Sequence, residues 1–133
     1  MAQTAMVTNY LTDQMIEAGK TVLEQLDASN VDVSAALWLL EPESQSWRLV
    51  LAIREVDRQG PKAVYKKIDA ALQRTAKGKT SLSLQDISAV SPKDAVITLL
   101  RKVVKTEKDP GLRFSRNTIN GHYIEDAYIY RPR

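Results

Sequence analysis

The chain has 133 residues, of which 44% are hydrophobic and 26% are charged, and it contains no cysteine. This length fits one domain, and the composition is that of a folded globular protein rather than of a disordered chain. The absence of cysteine excludes disulfides, thiolate catalysis and zinc sites built on sulfur. We therefore expect residues 1–133 to form a single globular domain.

The first residues, MAQTAMVTNYLTDQ, have neither the basic region nor the long apolar stretch of a secretory signal. No segment reaches the roughly 20 apolar residues of a membrane-spanning helix. The sequence therefore predicts a soluble, cytoplasmic protein that does not contact a membrane.

The formal net charge of +3 is distributed unevenly along the chain. Residues 1–59 contain four Lys or Arg and nine Asp or Glu, whereas residues 60–133 contain fifteen and seven, so the two halves carry −5 and +8. Such a split is typical of a nucleic-acid-binding face, or of acidic and basic faces that meet in an oligomer. It also arises without functional meaning when the fold mixes the two halves.

The first predicted helix spans about Met6 to Ala28. Apolar residues recur along it at steps of three and four positions, at Val7, Leu11, Met15, Ala18, Val22 and Leu26. Ile16 and Leu23 add a second apolar stripe, which is typical of a deeply buried helix or of one that contacts another chain.

Two strands are predicted next, VDVSAALWLL and WRLVLAIR, separated by the turn EPESQS. The first does not alternate between apolar and polar residues, which indicates a central strand covered on both faces. EVDRQG is interpreted as a loop.

Pro61 is predicted to begin the second helix and Gly78 to end it. Its buried side is formed by Val64, Ile68, Ala71, Leu72 and Thr75. A third strand is predicted near residues 85 to 90.

The sequence SPKD predicts the start of the third helix, with Ser91 as N-cap and Pro92 at the first helical position. DPG at residues 109 to 111 ends this helix. The residues expected to face inward are Val96, Leu100, Val103 and Val104, and those expected to face solvent are Lys93, Arg101, Lys102 and Lys105.

The segments LRFSRNTI and HYIEDAYIY flank Asn120 and Gly121, a dipeptide that favours a two-residue hairpin turn. With this turn, Ile119 pairs with His122. The same register places Arg116 opposite Glu125 and Arg113 opposite Tyr128, which predicts an ion pair and a cation–π contact.

The predicted order of elements is α-β-β-α-β-α-β-β. This order indicates an α+β fold with a five-stranded, mostly antiparallel or mixed sheet and three helices. The order of the strands within the sheet stays open.

The tip of the predicted hairpin is a candidate catalytic or binding site, because it combines the chain's one histidine with polar neighbours. These residues are His122, Arg116, Asn117 and Asn120. The register separates the Cα atoms of His122 and Asp126 by roughly 13 Å, which excludes a triad with Ser115. A solvated turn is the alternative interpretation of the same residues.

Two further motifs suggest phosphate or metal binding. Gly78, Lys79 and Thr80 resemble the end of a phosphate-binding P-loop, but Gln73 occupies the place of its first glycine. Glu55 and Asp57 share strand parity with Ile53 and are weak candidates for Mg²⁺ ligands, with a solvated strand end as the alternative. No cofactor is predicted.

The second and third helices carry basic residues that would form a nucleic-acid-binding surface if both helices lay on one side of the sheet. These residues are Lys62, Lys66, Arg74, Lys77, Arg101, Lys102 and Lys105. A solvated helix face explains the same pattern.

Two functional hypotheses follow from the sequence. The first is a noncatalytic interaction or regulatory module that self-associates as a homodimer, binds another protein, or contacts nucleic acid nonspecifically. The alternative is a small hydrolase acting on a phosphate-containing substrate. In it His122 is the acid or base, Arg54, Arg113 or Arg116 neutralises charge, and Glu55 and Asp57 hold a metal.

Overall fold

A computed structural model describes residues 10–75, 82–104, 112–119 and 121–132. The elements in chain order are α1 (Asp13–Ala28), β1 (Val33–Glu41), β2 (Ser46–Ile53), α2 (Glu55–Gln59), α3 (Pro61–Thr75), β3 (Ile87–Val90), α4 (Ala95–Val104), β4 (Leu112–Ile119) and β5 (His122–Pro132). The predicted α+β class is confirmed, with α2 as an additional short helix in place of a loop. None of the helices described is long and apolar enough to cross a membrane.

The five strands form one mixed sheet in the order β3-β2-β1-β5-β4. β2 and β3 are parallel, and the other neighbouring strands are antiparallel. β1 is central, as its continuous apolar sequence predicts, and β5 lies between β1 and β4. The edge strands are therefore β3, which has only four residues, and β4.

The helices lie on both faces of the sheet. Side chains from α1 and α3 pack with Trp38 of β1 and Leu49 of β2 in one apolar cluster. Ile97 and Leu100 of α4 pack on the opposite face, where the sheet contributes six buried apolar residues. Three of these are Ala35, Ala52 and Ala127, each at most 4% exposed.

The apolar stripe predicted for the second helix is confirmed in α3. Val64, Ile68, Ala71, Leu72 and Thr75 are all buried, and the helix begins at Pro61 as predicted. This agreement arises because a single helix with one buried face is determined by local periodicity.

The first helix begins later in the described structure than its apolar pattern predicts. The hydroxyl of Thr12 accepts a hydrogen bond from the backbone N–H of Met15 and caps the helix, which starts at Asp13. Met6 and Val7 lie outside the described residues. Leu23 of the second stripe is 6% exposed and packs within the core, so part of that stripe is covered by the chain itself.

The prediction that Ser91 caps the third helix is wrong. The cap is Asp94, whose side chain accepts the N–H of Val96, and the helix starts at Ala95. The hydroxyl of Ser91 instead accepts the N–H of Lys93 and donates to the carboxylate of Asp57. A contact with a distant segment therefore overrides the local capping signal.

The predicted hairpin register is confirmed from Ile119↔His122 to Leu112↔Ile129. It is interrupted at Arg116, whose φ of +51° departs from extended backbone, and the predicted ion pair with Glu125 is wrong. Arg113 lies opposite Tyr128 as predicted, but its guanidinium is placed over the ring of Trp47, at 5.6 Å from the centroid. The same guanidinium binds both carboxylate oxygens of Asp126, at 2.6 and 2.7 Å.

Candidate functional site

A polar cleft lies where the parallel strands β2 and β3 end. After β2 the chain passes to α3 on one face of the sheet, and after β3 it passes to α4 on the other face. Where two neighbouring parallel strands continue to opposite faces of a sheet, a crevice opens outside their carboxyl ends. This place is called a topological switch point, and open α/β sheets bind ligands there. The topology therefore makes this end of the sheet a candidate binding site.

Residues from four segments of the chain form the cleft, whose volume is about 550 Å³. Its lining consists of Asp32, Ser34, Arg54, Asp57, Pro92, Lys93 and Arg101. These residues are called the switch-point cleft below. Three of them are basic and two are acidic, so the cleft carries a net positive charge at neutral pH.

A bulge in β1 brings Ser34 into the cleft. The register of β1 against β2 shifts between Val33 and Ala35, which turns Ser34 toward the face that α4 covers. The Ser34 hydroxyl donates to the carbonyl of Ala52 at 3.3 Å and accepts from Nη2 of Arg101 at 3.1 Å. The bulge thus fixes the position of the Arg101 guanidinium.

Described protein groups accept hydrogen bonds from only some of the N–H donors of the Arg101 guanidinium. Its Nε is buried and has no hydrogen-bond partner within the described part of the chain. Leaving a buried polar group unpaired costs about 1–3 kcal/mol. The Nε and Nη2 of an arginine form the edge that binds a carboxylate or phosphate with two parallel hydrogen bonds. This Nε is shielded from solvent, so an anionic oxygen would reach it after a small movement of the side chain and would then relieve the cost.

The other cleft arginine is already paired. Nε of Arg54 donates to the carboxylate of Asp32 at 3.0 Å, and both side chains are more than half exposed. An exposed ion pair of this kind contributes little to stability, so a ligand exchanges for it at small cost. Lys93 is exposed and makes no ion pair within the described residues.

The second carboxylate of the cleft joins its two walls. Oδ2 of Asp57, in α2, accepts a hydrogen bond of 3.0 Å from the hydroxyl of Ser91, in the loop before α4. Asp32 and Asp57 each accept a hydrogen bond at Oδ2, which holds both carboxylates in place at the cleft.

The predicted pairing of Glu55 and Asp57 as metal ligands assumes that both residues continue strand β2. β2 ends at Ile53, before either residue. Both residues lie in α2, where positions two apart point about 200° apart around the helix axis. Asp57 faces the cleft, whereas Oε1 of Glu55 is buried without a hydrogen-bond partner. Among the described residues there is no group of three or more potential metal ligands.

The basic residues of the second and third helices do not form one surface. α3 and α4 lie on opposite faces of the sheet, so Lys62 and Lys66 are separated from Arg101 and Lys102. Arg74 is bound to side chains of α1 and its C-terminal cap, Gln25 and Ser29. Lys77, Lys105 and the P-loop-like residues 78–80 lie outside the described residues.

The hairpin tip is remote from the cleft. β5 begins at His122 and ends at Pro132, which pairs with Ala35 beside the cleft. Ten residues of extended strand span about 33 Å, so His122 does not converge with Arg54 and Asp57. Asn120 and the side chains of Asn117 and His122 lie outside the described part of the structure.

The cleft is formed by residues that belong to different functional hypotheses when only the sequence is considered. Arg54 and Asp57 belong to the hydrolase alternative, Arg101 to the nucleic-acid surface, and only the fold brings them together. Asp32 and Ser34 are not predicted as site residues at all. The signal that was available for Asp32 is its position as a charged residue directly before a buried strand.

Comparison of the chain with protein-family models, with curated proteins and with solved structures gave no match in any of the three.

Proposed function

We propose that this protein is a noncatalytic recognition module that binds an anionic group, a phosphate or a carboxylate, in the switch-point cleft. The observation that carries the proposal is the buried Nε of Arg101, which has no acceptor among the described residues and belongs to a guanidinium already held by Ser34. A bound oxygen at this Nε gains a charge-assisted hydrogen bond and removes an unpaired buried donor.

The neighbouring charges favour the same kind of ligand. Lys93 supplies a cation at the rim, and Arg54 supplies a second guanidinium once its exposed pair with Asp32 exchanges for the ligand. Arg54 and Ser91 each hold one cleft carboxylate, which keeps Asp32 and Asp57 directed at protein donors and leaves the cations to meet an anion. The ligand is either a free small molecule or an anionic group on a partner, because both present the same oxygen atoms.

Calorimetric titration with inorganic phosphate, and separately with acetate, tests this proposal. Arg101→Gln should weaken binding about tenfold or more, since a hydrogen bond to a charged group contributes about 1.5–3 kcal/mol. Lys102→Gln is the matched control, because Lys102 is the exposed neighbour on the same helix and does not line the cleft. Equal losses in the two variants would indicate diffuse attraction to a basic protein and contradict a specific site.

A further inference from the structure

An apolar groove lies on the α4 face at the end of the sheet opposite to the switch-point cleft. It is bounded by the turn between β1 and β2, by α4 and by the start of β5, and its volume is about 410 Å³. Its apolar lining is formed by Leu39, Leu40, Pro42, Val96, Leu99, Tyr123 and Ile124. These residues are called the α4 groove.

The groove follows from an unequal covering of the sheet. The face opposite to α4 carries two helices of 16 and 15 residues, whereas α4 has ten residues and is about 15 Å long. Of the apolar groove residues, Leu40, Leu99 and Ile124 are at most 6% exposed, and Tyr123 is the large one that borders solvent. Tyr123 itself is 51% exposed, and only Tyr10 is a comparably exposed large apolar residue in the described part of the chain. Exposed apolar surface bounded by polar residues is a feature that protein-interaction sites share.

The rim of the groove is acidic. Glu41, Glu43 and Glu125 line it, and no described lining residue is Lys or Arg. Arg48 approaches Glu41 at 4.0 Å, whereas the carboxylates of Glu43 and Glu125 make no ion pair with any described residue. Complementary charge selects partners and suppresses wrong ones, so this rim favours a basic partner.

A second copy of the chain fits the groove poorly as judged from its described helices. α3 is basic on its outer side, but the apolar residues that would enter a groove are buried in its own core. A partner must offer apolar and basic side chains on the same exposed surface. Helix-in-groove recognition meets this requirement, with apolar anchors spaced three or four residues apart.

We propose that the α4 groove docks a short, basic, amphipathic segment of a partner protein. Its apolar side chains contact Leu99 and Tyr123, and its Lys or Arg side chains pair with Glu43 and Glu125. This interaction is independent of anion binding in the switch-point cleft, which uses other residues at the other end of the sheet.

The test uses a synthetic helical peptide of leucine and lysine, with a leucine and glutamate peptide of the same pattern as the charge control. Binding is measured by calorimetry and located by amide chemical shifts in nuclear magnetic resonance spectra. We expect the lysine peptide to bind with shifts concentrated at Leu39, Leu99 and Tyr123, and the glutamate peptide to bind at least about tenfold more weakly. Equal binding of both peptides would overturn the proposal.

Paired variants distinguish peptide binding in the groove from nonspecific binding elsewhere on the protein surface. Tyr123→Ser and Glu43→Lys change an exposed side chain and a turn residue, so both should fold. Each should weaken binding of the lysine peptide about tenfold, the scale of losing an interface anchor. The matched controls Tyr10→Ser and Glu24→Lys, both at exposed positions outside the groove, should bind as the parent protein does.

Two results would contradict the proposed occupant. Binding that survives both groove variants, or that falls equally in their controls, would place the peptide elsewhere. A dimer in light scattering that dissociates in Tyr123→Ser would show that a second copy, rather than a basic partner, covers the groove.

Discussion

The indole nitrogen of Trp38 donates a hydrogen bond of 2.9 Å to the hydroxyl of Tyr130, which in turn donates to the carbonyl of Ile16 at 2.6 Å. These contacts join β1 and β5 to α1. Burial raises the pKa of Tyr130 well above its usual range, so the phenol keeps its proton and continues to donate. The hydroxyl occupies the space beside Gly19, where a Cβ would overlap it.

Gly19→Ala should therefore destabilise the protein, although alanine is the better helix former. Overpacking destabilises the fold by about 1–3 kcal/mol, and the better helix propensity of alanine stabilises it by about 0.5–1 kcal/mol. We therefore expect the free energy of unfolding, measured by urea denaturation, to fall by about 1 kcal/mol. The double variant Gly19→Ala, Tyr130→Phe should recover part of this loss because the overlapping oxygen is gone. A fully additive double variant would show that the two residues do not interact.

The N-cap of α4 gives a second prediction. Asp94→Ala should reduce the free energy of unfolding by about 1 kcal/mol because the N–H of Val96 loses its acceptor. Asp94→Asn should retain most of the stability, since asparagine is an equivalent cap. If Asp94→Ala were neutral in chemical denaturation, the assignment of the cap to this residue would be wrong.

The pair of Arg113 and Asp126 predicts a dependence of stability on pH. Partial burial raises the pKa of Asp126, but hydrogen bonds from Arg113 and Ser115 and the charge of Arg113 outweigh it and hold the pKa below its usual range. A carboxyl whose pKa is lower in the folded state stabilises the fold above its unfolded pKa, about 3.9, and loses this contribution as the pH falls through the folded value.

The corresponding experiment compares the parent protein with Asp126→Asn in urea denaturation at several pH values. The variant should be less stable by about 1 kcal/mol near neutrality, a modest value because Arg113 is 45% exposed. The difference should shrink below about pH 4. Asp69→Asn, at an exposed position without an ion pair among the described residues, gives the baseline. A difference that stays constant down to pH 2 would contradict the lowered pKa.

A fourth prediction concerns the cleft charge. Lys93→Glu should weaken phosphate binding more than Lys93→Gln does, because it replaces a cation at the rim with an anion. Neither substitution should change stability by more than about 0.5 kcal/mol, since Lys93 is exposed. Parallel titrations and melting curves measure the two quantities. Equal affinities of these variants for phosphate would remove Lys93 from the site.

The sequence determines the elements that depend on local periodicity and turn chemistry. The α3 stripe from Val64 to Thr75 and the register beginning at Ile119↔His122 are predicted correctly for this reason. The placement of α3 and α4 on opposite faces is not predictable in this way, because it depends on packing between segments far apart in the chain.

The candidate site is less predictable than the fold. Arg101 is expected in solvent, yet its hydrogen bond to Ser34 at the β1 bulge and the packing of α4 on the sheet leave it half-buried. Ser91 is expected to cap a helix, yet it binds Asp57 across the cleft. In both cases a contact between distant segments decides the role of a residue whose local pattern suggests another.

Anion binding in the switch-point cleft is tested most directly by observing the Nε–H proton of Arg101 during a phosphate titration by nuclear magnetic resonance. The Arg101→Gln variant assigns the signal, and the Nε–H of Arg113, which is held by Asp126, serves as an internal reference. We predict that the Arg101 signal shifts downfield and saturates while the Arg113 signal stays in place. An Arg101 signal that does not move while calorimetry shows phosphate bound would place the anion elsewhere and contradict the proposed function.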